Sequence, residues 1–105
     1  MHPFLNIADR AARMAGKTIL DGLKRLDRIR MQEKQDNRGV VTEIDLKAES
    51  IIIDTIREAY PRHGILAEES NPIDGEGYIW IIDPLDGTSN YIHDFPHFAV
   101  SIAIK

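Results

Sequence analysis

Residues 78–91 read Tyr78-Ile79-Trp80-Ile81-Ile82-Asp83-Pro84-Leu85-Asp86-Gly87-Thr88-Ser89-Asn90-Tyr91. An apolar run delivers two aspartates and then a Gly-Thr turn. Tyr78–Ile82 shows no alternation of polar and apolar residues, which predicts a strand covered on both faces. Pro84 lacks an N–H and fixes its own φ, so it is expected to help stop that strand and turn the chain. Gly87 gives the backbone freedom to approach a ligand. With a helix or turn starting near Thr88, the N–H groups of Gly87 and Thr88 can face an anion. Carboxylates and a phosphate repel each other without a cation between them. Magnesium resolves this, because it takes oxygen ligands, needs only one or two carboxylates, and bridges to phosphate. Acids that share cations at such spacing also suit a two-metal displacement.

Outward from this stretch, Gly64-Ile65-Leu66-Ala67 is a short apolar run that fits a strand and ends in Glu68-Glu69. A polar loop, Asn71 to Gly77, separates the two strands. Phe98–Ile104 reads as a further strand, after turn residues around Asp94-Phe95-Pro96. Upstream, Thr42 reads as the N-cap of a helix with Glu43 and Asp45 in its first turn. Ala48, Ile52, Thr55, Ile56 and Ala59 mark its buried stripe, and Pro61 ends it. Phe4, Ala8, Ala11, Ala15, Ile19, Leu23 and Leu26 recur at helical steps, which predicts one amphipathic helix from residue 4 to about residue 28. Residues 31–41 lose that period and read as a loop, or a turn with a short strand. Two helices followed by strands make an α+β chain, with the helices on one face of the sheet.

The 105 residues suit one small domain, and 43% hydrophobic residues support a modest core. No apolar run is long enough to span a bilayer, and the N-terminus lacks the pattern of a signal peptide. Zero cysteines exclude a disulfide framework and a thiolate zinc site. A cytoplasmic protein without membrane contact is expected. Residues 1–34 hold eight Lys/Arg against four acids, and residues 35–105 hold five against thirteen. The basic residues of the first third interleave with Asp9, Asp21 and Asp27 on a helical pattern, which reads first as a solvated face.

Taken singly, the acids have bland explanations. Asp-Pro and Asp-Gly are turn dipeptides, Glu68-Glu69 is an ordinary solvated pair, and Asp45 is a first-turn helix acid. Taken as a set around a strand that runs into Asp-Pro-Leu-Asp-Gly-Thr, they are better explained as a site. Trp80 reads as core. His2, His63, His93 and His97 show no ligand spacing, and a hard cation does not call for them.

Asp83-Pro84-Leu85-Asp86-Gly87-Thr88-Ser89-Asn90-Tyr91 resembles the first signature of the inositol monophosphatase family. Glu68-Glu69-Ser70 resembles the family's Glu-Glu-Ser motif, and Val41-Thr42-Glu43-Ile44-Asp45 its Val-Thr-x-x-Asp. All three stand in the family's order and at family-like spacing, and the likeness is strongest to its bacterial SuhB-type branch. Ala67 departs from the glycine often found before the Glu pair. The resemblance implies the N-terminal part of a layered αβαβα sandwich, with two helices on an antiparallel-rich sheet.

The resemblance also implies roles, under a Mg²⁺-dependent hydrolysis of a phosphate monoester such as myo-inositol 1-phosphate. Glu68, Asp83 and the main-chain carbonyl of Leu85 would hold a first Mg²⁺, and Asp83 with Asp86 would contribute to a second. Catalysis would rest on Asp45, Glu68 and Thr88, with Asp45 and Thr88 orienting the attacking water. Gly87 and Thr88 would bind phosphate through their N–H groups. Glu69 sits beside the site, and Lys34 matches a basic position at a metal-binding loop, with an ordinary loop lysine as the equal alternative. Family members are well over twice as long, and their second half carries a Trp-Asp ligand that has no counterpart here, where Trp80 precedes Ile81. The 105 residues are thus expected to be an N-terminal segment with little activity alone and an association-prone open edge at Phe98–Ile104. The full-length family is expected to form dimers. The alternative from another class is a non-catalytic module bound to RNA or an RNA-polymerase antitermination complex through the basic first helix.

Overall fold

The first helix, α1, spans Pro3–Leu23. The His2 side chain accepts a hydrogen bond from the Phe4 N–H at 3.1 Å, and Pro3 occupies the first helical position, where its missing N–H costs nothing. A computed structural model describes residues 2–33, 40–93 and 98–105, apart from the side chains of Val40 and Val41. In it α1 ends one residue past Gly22, short of the expected residue 28, and a 3₁₀ turn over Leu26–Arg28 follows. Strands β1 (Met31–Glu33) and β2 (Val40–Thr42) pair antiparallel. Helix α2 runs over Glu43–Ala59, β3 over Gly64–Ala67, β4 over Ile79–Asp86, α3 over Thr88–Ile92 and β5 over Ala99–Ile104. The turn expected around Asp94–Pro96 lies outside the described residues.

Helices α1 and α2 pack together and share a core. Ala11, Ala15 and Ile19 from α1 are buried, as are Ile44, Ala48, Ile52 and Ile56 from α2. Small alanines on α1 let the two backbones approach closely. Ala59, expected in the buried stripe, is exposed in the last turn of α2. No helix among the described residues is long and apolar enough to cross a membrane.

The main sheet has the order β3-β4-β5, with β3 parallel and β5 antiparallel to β4. Residues 78–91 depart from expectation in two respects. Trp80 and Ile82 are buried toward the helices, but Ile79 is 46% and Ile81 39% exposed. The run is therefore covered on one face, and its uniform hydrophobicity hides a two-residue alternation. Pro84 does not stop the strand either. Pairing continues from Asp83↔Ser101 to Asp86↔Ala99 across a register shift, an irregularity at which a missing N–H is tolerated.

Two buried polar side chains tie distant segments together. Trp80, fully buried, donates its indole N–H to His63 Nδ1 at 3.0 Å, amid an aromatic cluster of Phe4, Tyr60, His63 and Tyr78. Tyr91, on α3, donates its hydroxyl to the Ile19 carbonyl at 2.7 Å and so ties α3 to α1. Gly22 makes room for that hydroxyl: a Cβ there would collide with Tyr91 Oη and stand 3.0 Å from Ile44 Cδ1. Gly22→Ala is expected to lower stability by about 1–3 kcal/mol, read from urea unfolding, because the core must shift to admit one methyl.

Burial pushes the Tyr91 hydroxyl up to about 12; Arg25 pulls it down and Asp45 adds to the rise. The neutral phenol is the form the fold holds, and in the unfolded chain it ionises near the ordinary 10.0. Its contribution is thus complete below pH 10 and is lost as pH climbs toward 12. Tyr91→Phe should cost about 1 kcal/mol at neutral pH. Urea midpoints between pH 9 and 12 should fall less steeply for this variant than for the wild type.

Candidate functional site

Parallel pairing of β3 with β4 brings the C-terminal end of β3 level with Ile82, from which β4 continues to Asp86. Ala67↔Ile82 is the last pair, and the Glu68 N–H continues the ladder by donating to the Ile82 carbonyl at 3.1 Å. Glu68, just past the end of β3, and Asp83, within β4, fifteen positions apart in sequence, therefore stand at the same level. Glu68 is exposed, Asp83 and Glu69 are half-buried, and Asp86 is exposed. Leu85 is buried at 3% exposure and holds the end of β4 in the core. Gly87 then adopts φ 89°, ψ 38°, a left-handed conformation that suits glycine, and α3 starts at Thr88.

A second set of contacts converges on Asp45, a carboxylate only 1% exposed. Thr42 caps α2 with its hydroxyl oxygen, which accepts from the N–H groups of Ile44 and Asp45 at 3.2 Å each. In return Asp45 Oδ2 accepts from the Thr42 N–H at 2.9 Å and from the Thr42 hydroxyl, completing a capping box. With Oδ2 so occupied, Oδ1 is directed at Thr88, whose Oγ1 stands 2.8 Å away. Thr88 Oγ1 is also 3.0 Å from the Leu85 carbonyl. A hydroxyl has one proton, so it donates to one of these acceptors at a time and keeps its lone pairs for another donor. The structure thus brings together Asp45, Thr88 and Leu85, three residues from two separate motifs.

Glu49 was not among the candidates from sequence. It lies one turn beyond Asp45 on α2 and is 1% exposed. Its Oε1 accepts from the Glu69 N–H at 2.9 Å, and its Oε2 accepts from the Ser70 hydroxyl. A signal was present: positions 45, 48, 49, 52 and 56 form one helical stripe, and an acid within an apolar stripe needs buried donors.

Among the described residues no three His, Asp or Glu side chains stand close enough to form a ready metal cluster. Magnesium does not demand one, since it is commonly held by one or two carboxylates with water and substrate oxygens. Glu68 and Asp83, level with each other on adjacent strands, with the Leu85 carbonyl further along β4, are a hard-oxygen set of that kind, and the group fits their chemistry. Lys34 lies outside the described residues.

The model of the inositol monophosphatase family matches residues 1–105. The Nus factor SuhB of Pseudomonas aeruginosa is 54% identical over 109 residues, covering 100% of this chain and 40% of that protein. The Nus factor SuhB of Escherichia coli is 50% identical over 107 residues, again with 40% of its length covered. Among solved structures, the extragenic suppressor protein SuhB from Bartonella henselae superposes with a TM-score of 0.92 at 38% identity, covering 97% of this chain and 40% of that one. An inositol monophosphatase from Anabaena gives a TM-score of 0.76 at 39% identity, covering 96% and 34%. The chain thus spans about two fifths of the length of these curated relatives. Matched along its whole length by the family model, and sharing half its residues with such relatives, the chain belongs to the inositol monophosphatase family.

Proposed function

We propose that this site serves the Mg²⁺-dependent hydrolysis of a phosphate monoester, with myo-inositol 1-phosphate as the first substrate to try. The observation that carries the reading is the contact of 2.8 Å between Thr88 Oγ1 and buried Asp45 Oδ1, from residues 43 positions apart, together with the strand register that sets Glu68 level with Asp83. Glu68, Asp83 and the Leu85 carbonyl would hold one Mg²⁺, and Asp83 with Asp86 would contribute to another. When bound, such ions lower the pKa of a coordinated water and neutralise phosphate charge.

The remaining work falls to the chain's own groups. Thr88 Oγ1 accepts a hydrogen bond from the attacking water and fixes its direction. Its own proton faces Asp45 Oδ1, which is the oxygen left to receive it because Oδ2 is held by Thr42. The N–H groups of Gly87 and Thr88 supply donors for phosphate oxygens. A cytoplasmic setting and a homodimeric assembly complete the reading.

A second reading is favoured by one finding, that relatives sharing half the residues are named Nus factors. In it the protein docks on RNA or RNA polymerase, using the exposed Arg10, Arg13 and Lys17 of α1. Asp9 pairs with Arg13 at 3.0 Å and lowers the charge this face presents. RNA binding that weakens steeply with salt and is indifferent to Mg²⁺ would favour this reading.

Phosphate release from myo-inositol 1-phosphate by the intact protein is expected to require Mg²⁺ and to stop on chelation with EDTA. No release with Mg²⁺ present, or release unchanged by EDTA, would overturn the first reading. Asp45→Asn places an amide donor where Thr88 needs an acceptor, so kcat should fall about 100-fold, within the range for a lost proton-transfer partner. Thr88→Ala should lose a similar factor, Thr88→Ser should recover most of it, and the double variant should be no worse than either single one.

A further inference from the structure

Glu49 is a buried carboxylate with no part in the chemistry above, yet it grips the segment that carries Glu68. The Glu68–Ser70 turn is held on both sides. The Glu68 N–H donates to the Ile82 carbonyl on β4, and the Glu69 N–H and Ser70 hydroxyl both donate to Glu49 on α2. Asp45 and Glu49 stand one helical turn apart, so a single face of α2 reaches Thr88 with one acid and the Glu-Glu-Ser turn with the other.

We propose that Glu49 is a positioning residue, which sets the place of the Glu68 carboxylate beside Asp83 by holding the backbone of Glu69 and the side chain of Ser70. This rests on the reading of Glu68 and Asp83 as cation ligands. A charged acceptor suits the task, because hydrogen bonds to an ionised group are shorter and stronger than neutral ones. The bond to a main-chain N–H fixes the turn itself, one residue from the group that would bind the metal.

Two measurements on the chain test this: Mn²⁺ titration by calorimetry and amide exchange at Glu69. In Glu49→Ala the Glu69 amide should exchange at least about tenfold faster, and Mn²⁺ affinity should fall about 10–100-fold, as for a lost partner behind a metal ligand. Glu49→Gln keeps an acceptor for the Glu69 N–H but not a second one for the Ser70 hydroxyl. It should fall between Glu49→Ala and wild type, as should Ser70→Ala. These milder variants carry the test if Glu49→Ala does not fold. Ile52→Val loosens the same helix in the core and should leave Mn²⁺ affinity unchanged, which separates positioning from loss of stability.

Mn²⁺ affinity within twofold of wild type in both Glu49→Gln and Ser70→Ala would overturn the proposal. So would equal loss of affinity in Ile52→Val. If the wild-type chain binds no Mn²⁺, the metal reading itself fails, and Glu69 exchange alone then decides Glu49's hold on the turn: unchanged exchange in the Glu49 variants overturns it.

Discussion

The capping box at the start of α2 is the interaction on which the rest of the site depends. Thr42 satisfies orphan N–H groups of the helix, and Asp45 closes the box with one carboxylate oxygen. A carboxylate buried to 1% exposure is unfavourable unless its oxygens find donors. Thr42 occupies one oxygen and Thr88 the other, so the starts of α2 and α3 are bound through a single side chain. A motif that looks like a local helix signal is therefore also the connection between two distant segments.

The same economy appears further along α2. Asp45 and Glu49 are both buried, and both point their oxygens at donors on segments that follow β-strand ends. Parallel pairing of β3 with β4 makes this feasible, because it delivers two strand ends to one side of the sheet. An antiparallel pairing would have put Glu68 and Asp83 at opposite ends. Tyr91 and Gly22 complete the frame from the far side: the hydroxyl needs the space left by an absent Cβ, and its bond to Ile19 fixes α3 just after the Gly87 turn.

Much of the fold was legible because its signals are local. The N-cap at Thr42, the end of α2 before Pro61, and the strand at Gly64–Ala67 follow from capping, proline chemistry and short-range hydrophobicity. The errors share a cause. Ile79 and Ile81 look covered from sequence, but apolar residues say nothing about what stands above them. Pro84 reads as a strand stop, yet its lost N–H is decisive only where the neighbouring strand needs that donor, and here the register shifts instead. Gly22 leaves space for the Tyr91 hydroxyl, a contact between positions 69 residues apart that no local pattern announces.

From the sequence alone came the acids, their order, the likeness of three motifs to a phosphatase family, and the α+β class, since composition and short-range pattern are properties of neighbouring residues. Only the tertiary structure decided which of those acids meet. It sent Asp45 to Thr88, aligned Glu68 with Asp83, and gave Glu49 a grip on the Glu69–Ser70 turn. The physical reason is that a hydrogen bond or a shared cation acts over about 3 Å in space, whatever the distance along the chain.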